Sequence, residues 1–215
     1  MDEGNSKRPL PFNPLDKSNL GESVAAALMC AEPCGLPPEH FFGAGVYALY
    51  FNGRFKPYAL LSKMDHGQSK FPVYVGKAVP VGARKGLEIK NDDHGPALFR
   101  RLREHAESIS AVNNLNISDF SCRLLVVDEI WIPLAEATLI RRFQPLWNCV
   151  IDGFGNHNPG KGRKEGAKSL WDILHPGRPW AAALQSRGTD VAQLAERAKA
   201  YLDVFFKNFD LSEKR

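Results

Sequence analysis

The succession of apolar and polar positions divides the chain into helices and strands separated by glycine- and proline-rich connections. Residues 1–17 are polar, hold Pro9, Pro11 and Pro14, and read as an extended arm. Asn19 and Glu22 stand at capping-box spacing, and Leu20, Val24, Ala27, Leu28 and Ala31 follow at helical spacing. This predicts a short helix ending by Pro33, and Pro37 and Pro38 then force a connection. Residues 45–51 form an apolar run of strand length, followed by Asn52-Gly53, a hairpin turn signal. Residues 72–78 read as a second strand, the mixed segment 54–71 as an elaborated connection, and 79–95, with three glycines, as a loop. From Pro96 the positions Ala97, Leu98, Leu102, Ala106 and Ile109 share a helical face.

Residues 122–127 predict a third strand, and Pro133 opens a helix with Ala137, Ile140 and Phe143 as its apolar side. Residues 152–168 are glycine-rich and basic, without periodicity. The last helix is expected over 190–206, capped by Thr189, with Val191, Leu194, Ala195, Ala198, Leu202 and Phe205 on its apolar face. The order helix, strand, strand, helix, strand, helix, basic loop, helix predicts an α+β fold, a three-stranded antiparallel sheet flanked by helices. Three regions follow: an arm and helix over 1–40, a core over 41–150, and a basic loop and helix over 151–215 belonging to the same unit.

Composition changes this picture in two ways. With 44% hydrophobic and 24% charged residues, the 215-residue chain can build a real core. No apolar run approaches the roughly 20 residues that span a bilayer, and residues 1–18 lack a signal-peptide pattern. Cys30, Cys34, Cys122 and Cys149 are too scattered for a disulfide framework, so reduced thiols and a cytoplasmic location are expected. A zinc site at Cys30, Cys34 and His40 lacks a second ligand pair. Charge is uneven: residues 1–40 hold 3 basic and 6 acidic side chains, and residues 41–110 hold 11 and 6. The stretch 156–187 carries Lys161, Arg163, Lys164, Lys168, Arg178 and Arg187 against two acidic residues. An anionic partner is expected, nucleic acid first.

The candidate chemistry lies on predicted elements. Tyr47 and Tyr74 each sit beside a glycine on adjacent strands, where alternation can place both hydroxyls on one face. Two core tyrosines would look the same. Arg101 and His105 are one helical turn apart and suit a phosphate clamp with a titratable neighbour, although a solvated charged helix has the same pattern. Arg100, Arg103 and Glu104 are expected to point elsewhere. Glu136 begins the next helix beside an apolar stripe, and Asn148 follows 12 residues later. No phosphate loop or Gly-x-Ser-x-Gly elbow is present.

The order of these residues resembles the GIY-YIG nuclease family. Its name-giving motifs stand here as Gly45-Val46-Tyr47 and Tyr74-Val75-Gly76, followed by Arg101, His105, Glu136 and Asn148. The likeness covers about residues 44–150. The gap between the tyrosines is longer than in most members and accommodates 54–71. With the histidine after Arg101 and the helical C-terminal extension, it resembles the restriction branch, the dimeric type II enzymes that cut CCGCGG.

The resemblance implies metal-dependent hydrolysis of double-stranded DNA by a homodimer on a palindromic site, with no small-molecule cofactor. Glu136 would hold Mg²⁺, with Mn²⁺ as a substitute. Arg101 would bind the scissile phosphate, and Tyr47 would activate water with His105 as proton relay. Nearby cations are expected to lower the Tyr47 pKa. Tyr74 would orient water or phosphate, and Lys77 is a rival base or an electrostatic helper. Asn148 would fix Glu136 or the phosphate. The basic residues of 156–187 would contact DNA, with Asn156 and Asn158 as neutral donors. The expected dimer contacts are the outer helices, including Leu20, Val24, Leu28, Leu194, Leu202 and Phe205. A non-catalytic DNA-binding module on this scaffold, or a repair or homing-type nuclease, are the alternatives.

Overall fold

A computed structural model describes residues 13, 16–80, 95–158, 166–186 and 188–213. Most of the expected arm, most of the 79–95 loop and the segment 159–165 lie outside the described residues. Among those described, the elements in chain order are α1 (Lys17–Cys30), β1 (Cys34–Gly35), β2 (Gly45–Phe51), α2 (Ala59–Asp65), β3 (Pro72–Ala78) and α3 (Ala97–Ser110). They continue with β4 (Phe120–Val126), α4 (Ile132–Phe143), α5 (Leu146–Cys149), α6 (Leu170–Leu174) and α7 (Val191–Glu213).

The class is α+β, and the sheet is antiparallel with four strands instead of three, in the order β1-β4-β2-β3. The added strand is only two residues long, Cys34–Gly35, too short for any periodicity to register. β2 lies between β4 and β3, and all seven of its residues are buried. This explains its unbroken apolar run: a central strand covered on both faces needs no polar alternation. Asn52-Gly53 does not close a two-residue hairpin. The chain leaves β2 there, forms α2, and returns through residues 66–71 to pair with it as β3. The buried Asp65 carboxylate fixes the return by accepting from the backbone N–H groups of Ser69 (2.8 Å), Lys70 (2.6 Å) and Phe71 (3.0 Å).

The four predicted helices are present, but α7 continues past the expected 206 to Glu213, α2, α5 and α6 are additional, and three further details differ. α1 begins at Lys17, so Asn19 sits inside its first turn and donates to the Asn13 carbonyl. The first bond of α7 runs from the Leu194 N–H to the Asp190 carbonyl, one residue after the expected cap Thr189. α4 buries Ile132, Ala135, Thr138 and Leu139, whereas Ala137 is exposed and Ile140 and Phe143 are half-buried. The stripe is therefore rotated from the predicted one, because α1 covers that helix: a Cβ at Gly21 would collide with Thr138.

One core cluster runs from Ala25 in α1 to Phe206 in α7. Leu28, Leu194 and Leu202 are within it, at most 2% exposed, so they are not available as dimer contacts. Leu20 and Val24 are half-buried, as is Phe205. The large exposed apolar side chains among the described residues are Phe42 before β2, Val126 at the end of β4, Ile130 and Trp131 between β4 and α4, and Val191 and Val204 on α7.

The core also holds a polar network that no motif announced. The Trp147 indole donates to the Tyr58 hydroxyl (2.9 Å), which meets His175 Nε2 at 2.6 Å, while His175 Nδ1 meets Asn114 Oδ1 at 2.9 Å. Burial, reinforced by Arg178, pushes His175 down to about 3. The unfolded chain takes up this proton near pH 6.5 and the folded chain refuses it. Stability is therefore fully present above pH 6.5 and declines as pH falls toward about 3, by up to about 1.4 kcal/mol per pH unit. Urea midpoints recorded at pH 7.5 and pH 5 should show this decline, and His175→Gln should flatten it.

Candidate active site

Four elements deliver side chains to one end of the sheet: β2 carries Tyr47, β3 carries Tyr74 and Lys77, α3 carries Arg101 and His105, and α4 carries Glu136. The glycines of the two strand motifs have steric reasons. Tyr47 is paired with Gly76 in register, and a Cβ at Gly76 would collide with the Tyr47 hydroxyl and ring. A Cβ at Gly45 would collide with the Leu125 carbonyl of β4.

Tyr47 and His105 form the buried centre. The Tyr47 hydroxyl and His105 Nε2 are 2.5 Å apart, and both residues are at most 1% exposed. His105 therefore belongs to the buried stripe of α3, with Arg101 one turn earlier at its edge. Burial, then Arg101, holds the imidazole well below its ordinary value of 6.5, so it is neutral and Nε2 can accept the phenol proton. Burial raises Tyr47 well above the usual phenol value of 10, and Tyr74 adds to this while Arg101 opposes it. The expected lowering by cations is thus overruled: desolvation of a fully buried phenolate outweighs the one arginine beside it.

The Arg101 guanidinium is the bridge between this buried pair and solvent. It donates to Glu104 Oε2 at 2.8 Å and to the Gly155 carbonyl at 2.6 Å, and it lies 3.0 Å from His157 Nε2. Glu104, expected to point away, pairs with Arg101 instead, since i,i+3 positions share a face. Tyr74 lies between Tyr47 and the segment 153–156, edge-on to His105 and to Phe154. On the outer side Lys77 Nζ reaches Glu136 Oε2 at 2.6 Å. This contact makes Glu136 the ion-pair partner of Lys77.

Asn148 is tied to β3. Its side chain clamps the Val75 backbone from both directions, accepting from the N–H and donating to the C=O at 2.8 Å each. It holds the strand between Tyr74 and Gly76.

The segment after α5 is the part that sequence reasoning missed. Phe154 stacks on His105 with centroids 4.4 Å apart and an interplanar angle of 19°. A Cβ at Gly155 would press on the Tyr74 hydroxyl at 2.5 Å. Arg178, expected to contact DNA, is 3% exposed and is used internally. It pairs with Asp172 at 2.7 Å and donates to the carbonyls of Gly153, Phe154 and Asn156. Its guanidinium is sandwiched between Trp171 and Trp180 at 4.5 and 4.6 Å from their centroids. Four of its five N–H groups are thus taken by protein acceptors. Arg101, His105, Phe154, Asn156, His157 and Trp180 line a cavity of about 310 Å³ beside these groups. The signal that could have found this segment is Phe154-Gly155, an aromatic and a glycine within an otherwise polar loop.

Of the other basic candidates, Lys168 is half-buried and bonds through its backbone N–H to the Gln185 carbonyl. Lys161, Arg163, Lys164 and Arg187 lie outside the described residues. Among the described residues no group of three or more His, Cys, Asp and Glu gathers as a metal cluster. Glu136 is a carboxylate of this site that could hold a cation. One hard carboxylate fits Mg²⁺, which keeps several water ligands and binds substrate phosphate rather than needing a protein cage. No helix among the described residues is long and apolar enough to cross a membrane.

Two comparisons bear on this arrangement. A family model described as the Eco29kI GIY-YIG domain matches residues 39–202, which includes every element of the site. No curated protein matches the chain.

Proposed function

The chain belongs to the GIY-YIG restriction endonucleases of the Eco29kI kind, and from that premise we propose that it cuts double-stranded DNA at a short palindrome, CCGCGG, using a divalent cation and acting as a homodimer. The observation that carries this reading is the buried hydrogen bond between Tyr47 and a neutral His105, placed beside Arg101. A proton acceptor coupled to a phenol and a guanidinium is a device for phosphodiester hydrolysis; a module that only bound DNA would have no use for it.

Arg101 binds the scissile phosphate. Glu104 now occupies the guanidinium from a side chain that is 42% exposed, so it can swing into solvent when a phosphate competes. Tyr47 donates its proton to His105 Nε2, which leaves its oxygen as the acceptor for a water. As that water attacks phosphorus, its proton passes to Tyr47 while the Tyr47 proton moves to His105. The concerted transfer avoids a free phenolate, which burial disfavours. Tyr74, edge-on to His105 and tilted against Tyr47, orients the water or a phosphate oxygen. Glu136 would hold Mg²⁺, or Mn²⁺ in its place, whose chemistry when bound is to neutralise the phosphate and the departing 3′ oxygen. Lys77 keeps the Glu136 carboxylate turned toward the site.

Guanine O6 and N7 in a G·C-only site are read best by arginine and lysine, and Lys161, Arg163, Lys164, Lys168 and Arg187 are the proposed donors. One set of catalytic groups serves one strand, so double-strand cleavage calls for two subunits on a two-fold axis. With Leu28, Leu194 and Leu202 in the subunit core, the apolar side chains open to such a contact include Phe42, Val126, Ile130 and Trp131.

Plasmid containing CCGCGG, incubated with the protein and Mg²⁺ and sequenced at its new ends, should show both strands cut within that site. Sedimentation with a short CCGCGG duplex should give two subunits per duplex. Cuts at unrelated sequences would overturn the specificity, and a 1:1 complex that still severs both strands in a single binding event would overturn the dimer.

A further inference from the structure

The four cysteines take no part in the site, yet two of them meet. Cys34 and Cys122 are direct partners in the antiparallel register of β1 and β4, and their sulfurs are 3.4 Å apart. Directly opposed residues in such a ladder have Cα atoms about 4.5 or 5.5 Å apart, and both spacings lie within the range a disulfide bridges. Among the described residues no other two thiols are in contact. Cys30 and Cys149 are exposed, and each lies outside the sheet, in α1 and α5.

From this geometry we infer that Cys34 and Cys122 are an oxidation site, converted by a hydroperoxide into a disulfide that staples β1 to β4. The two sulfurs are arranged for unequal roles. Cys34 sits half-buried on an edge strand, where a small oxidant can reach it, whereas Cys122 is fully buried behind it. The hydrogen bond from Cys122 lowers the Cys34 thiol to about 7, and the same contact with burial raises Cys122. Cys34 is therefore the nucleophile and Cys122 the thiol that follows.

The step balances with one hydroperoxide. The Cys34 thiolate attacks a peroxide oxygen, the O–O bond breaks, and one water leaves once protonated when the oxidant is hydrogen peroxide. The resulting sulfenic acid is attacked by the Cys122 sulfur. The S–S bond forms, the S–O bond breaks, and the hydroxide departs with the Cys122 proton as a second water. Two thiols are oxidised by two electrons and the peroxide is reduced by two.

The staple closes a loop running from Cys34 to Cys122, which contains β2, α2, β3 and α3 and hence Tyr47, Tyr74, Lys77, Arg101 and His105. It also secures the N-terminal helix, whose end is otherwise tied to β4 by Arg123 donating to the Met29 carbonyl at 3.0 Å. A loop of that length constrains the unfolded chain strongly, so the oxidised protein should melt on the order of 10 °C higher.

The test uses the full chain with a small molar excess of hydrogen peroxide, followed by thiol blocking, digestion without reduction and mass spectrometry. Peptides joined between Cys34 and Cys122 are expected, with two of the four thiols lost and both recovered on adding dithiothreitol. Cys122→Ser should leave a sulfenic acid on Cys34 that dimedone traps, and Cys34→Ser should leave Cys122 reduced. Persistence of all four thiols would overturn the inference. So would oxidation confined to Cys30 or Cys149, or a Cys34 that joins to Cys30.

Discussion

Glu136→Gln should reduce Mg²⁺-dependent cleavage by about three orders of magnitude or more, the scale on which loss of a group stabilising transition-state charge is felt. It should leave binding of a CCGCGG duplex within a few-fold of the parent. The change keeps the shape of the side chain and removes the anion a cation would be held by. It also releases Lys77, but that pair is 38% and 22% exposed in its two side chains, so the cost to stability is small. Comparison of single-turnover cleavage with duplex binding measured in Ca²⁺ separates the two effects. Cleavage near the parental rate would remove Glu136 from the chemistry, and equal losses in binding and cleavage would make it a binding residue only.

The second large effect concerns the buried pair. Tyr47→Phe and His105→Ala should each lower single-turnover cleavage by about 10² to 10⁴, the range of a lost general base. The double variant should be scarcely slower than either single one, because two residues that pass one proton act as a unit. Folding complicates only one arm. His105→Ala opens a cavity beneath Phe154, for which His105→Gln is the substitute, whereas Tyr47→Phe keeps the ring and leaves His105 Nε2 without its donor. Fully multiplicative losses would assign the two residues independent tasks. A pH profile adds a check: His105 is neutral well below pH 6.5, so the free enzyme should not lose activity through its protonation between pH 8 and 6.5.

What could be read in the sequence was what periodicity and local sterics encode. The unbroken apolar run of β2, the stripe of α3 and the glycine-tyrosine pairs placed Tyr47, Tyr74, Arg101 and His105 on elements that do converge. Three things were hidden for physical reasons. β1 is two residues long and is specified by pairing with β4, not by its own pattern. The direction in which α4 faces depends on α1 packing across it at Gly21, a long-range contact. The role of Arg178 depends on Asp172 and on three carbonyls from 153–156, so an arginine in a basic stretch gave no sign of being buried. Asn148 adds a fourth: the resemblance implied a part in fixing Glu136 or the phosphate, and no local pattern marks an amide that bonds a strand backbone.

That amide has a consequence for solubility. β3 ends the sheet, and its outer side would otherwise offer a free N–H and C=O as a template for a strand of another molecule. Asn148 occupies both groups at Val75, in the middle of the strand, so an incoming chain finds the ladder already closed there. With α4 and α5 packed against β3, this side chain closes the edge of the strand that carries Tyr74. Asn148→Ala frees both backbone groups, and sedimentation of that variant should show self-association alongside its lost activity.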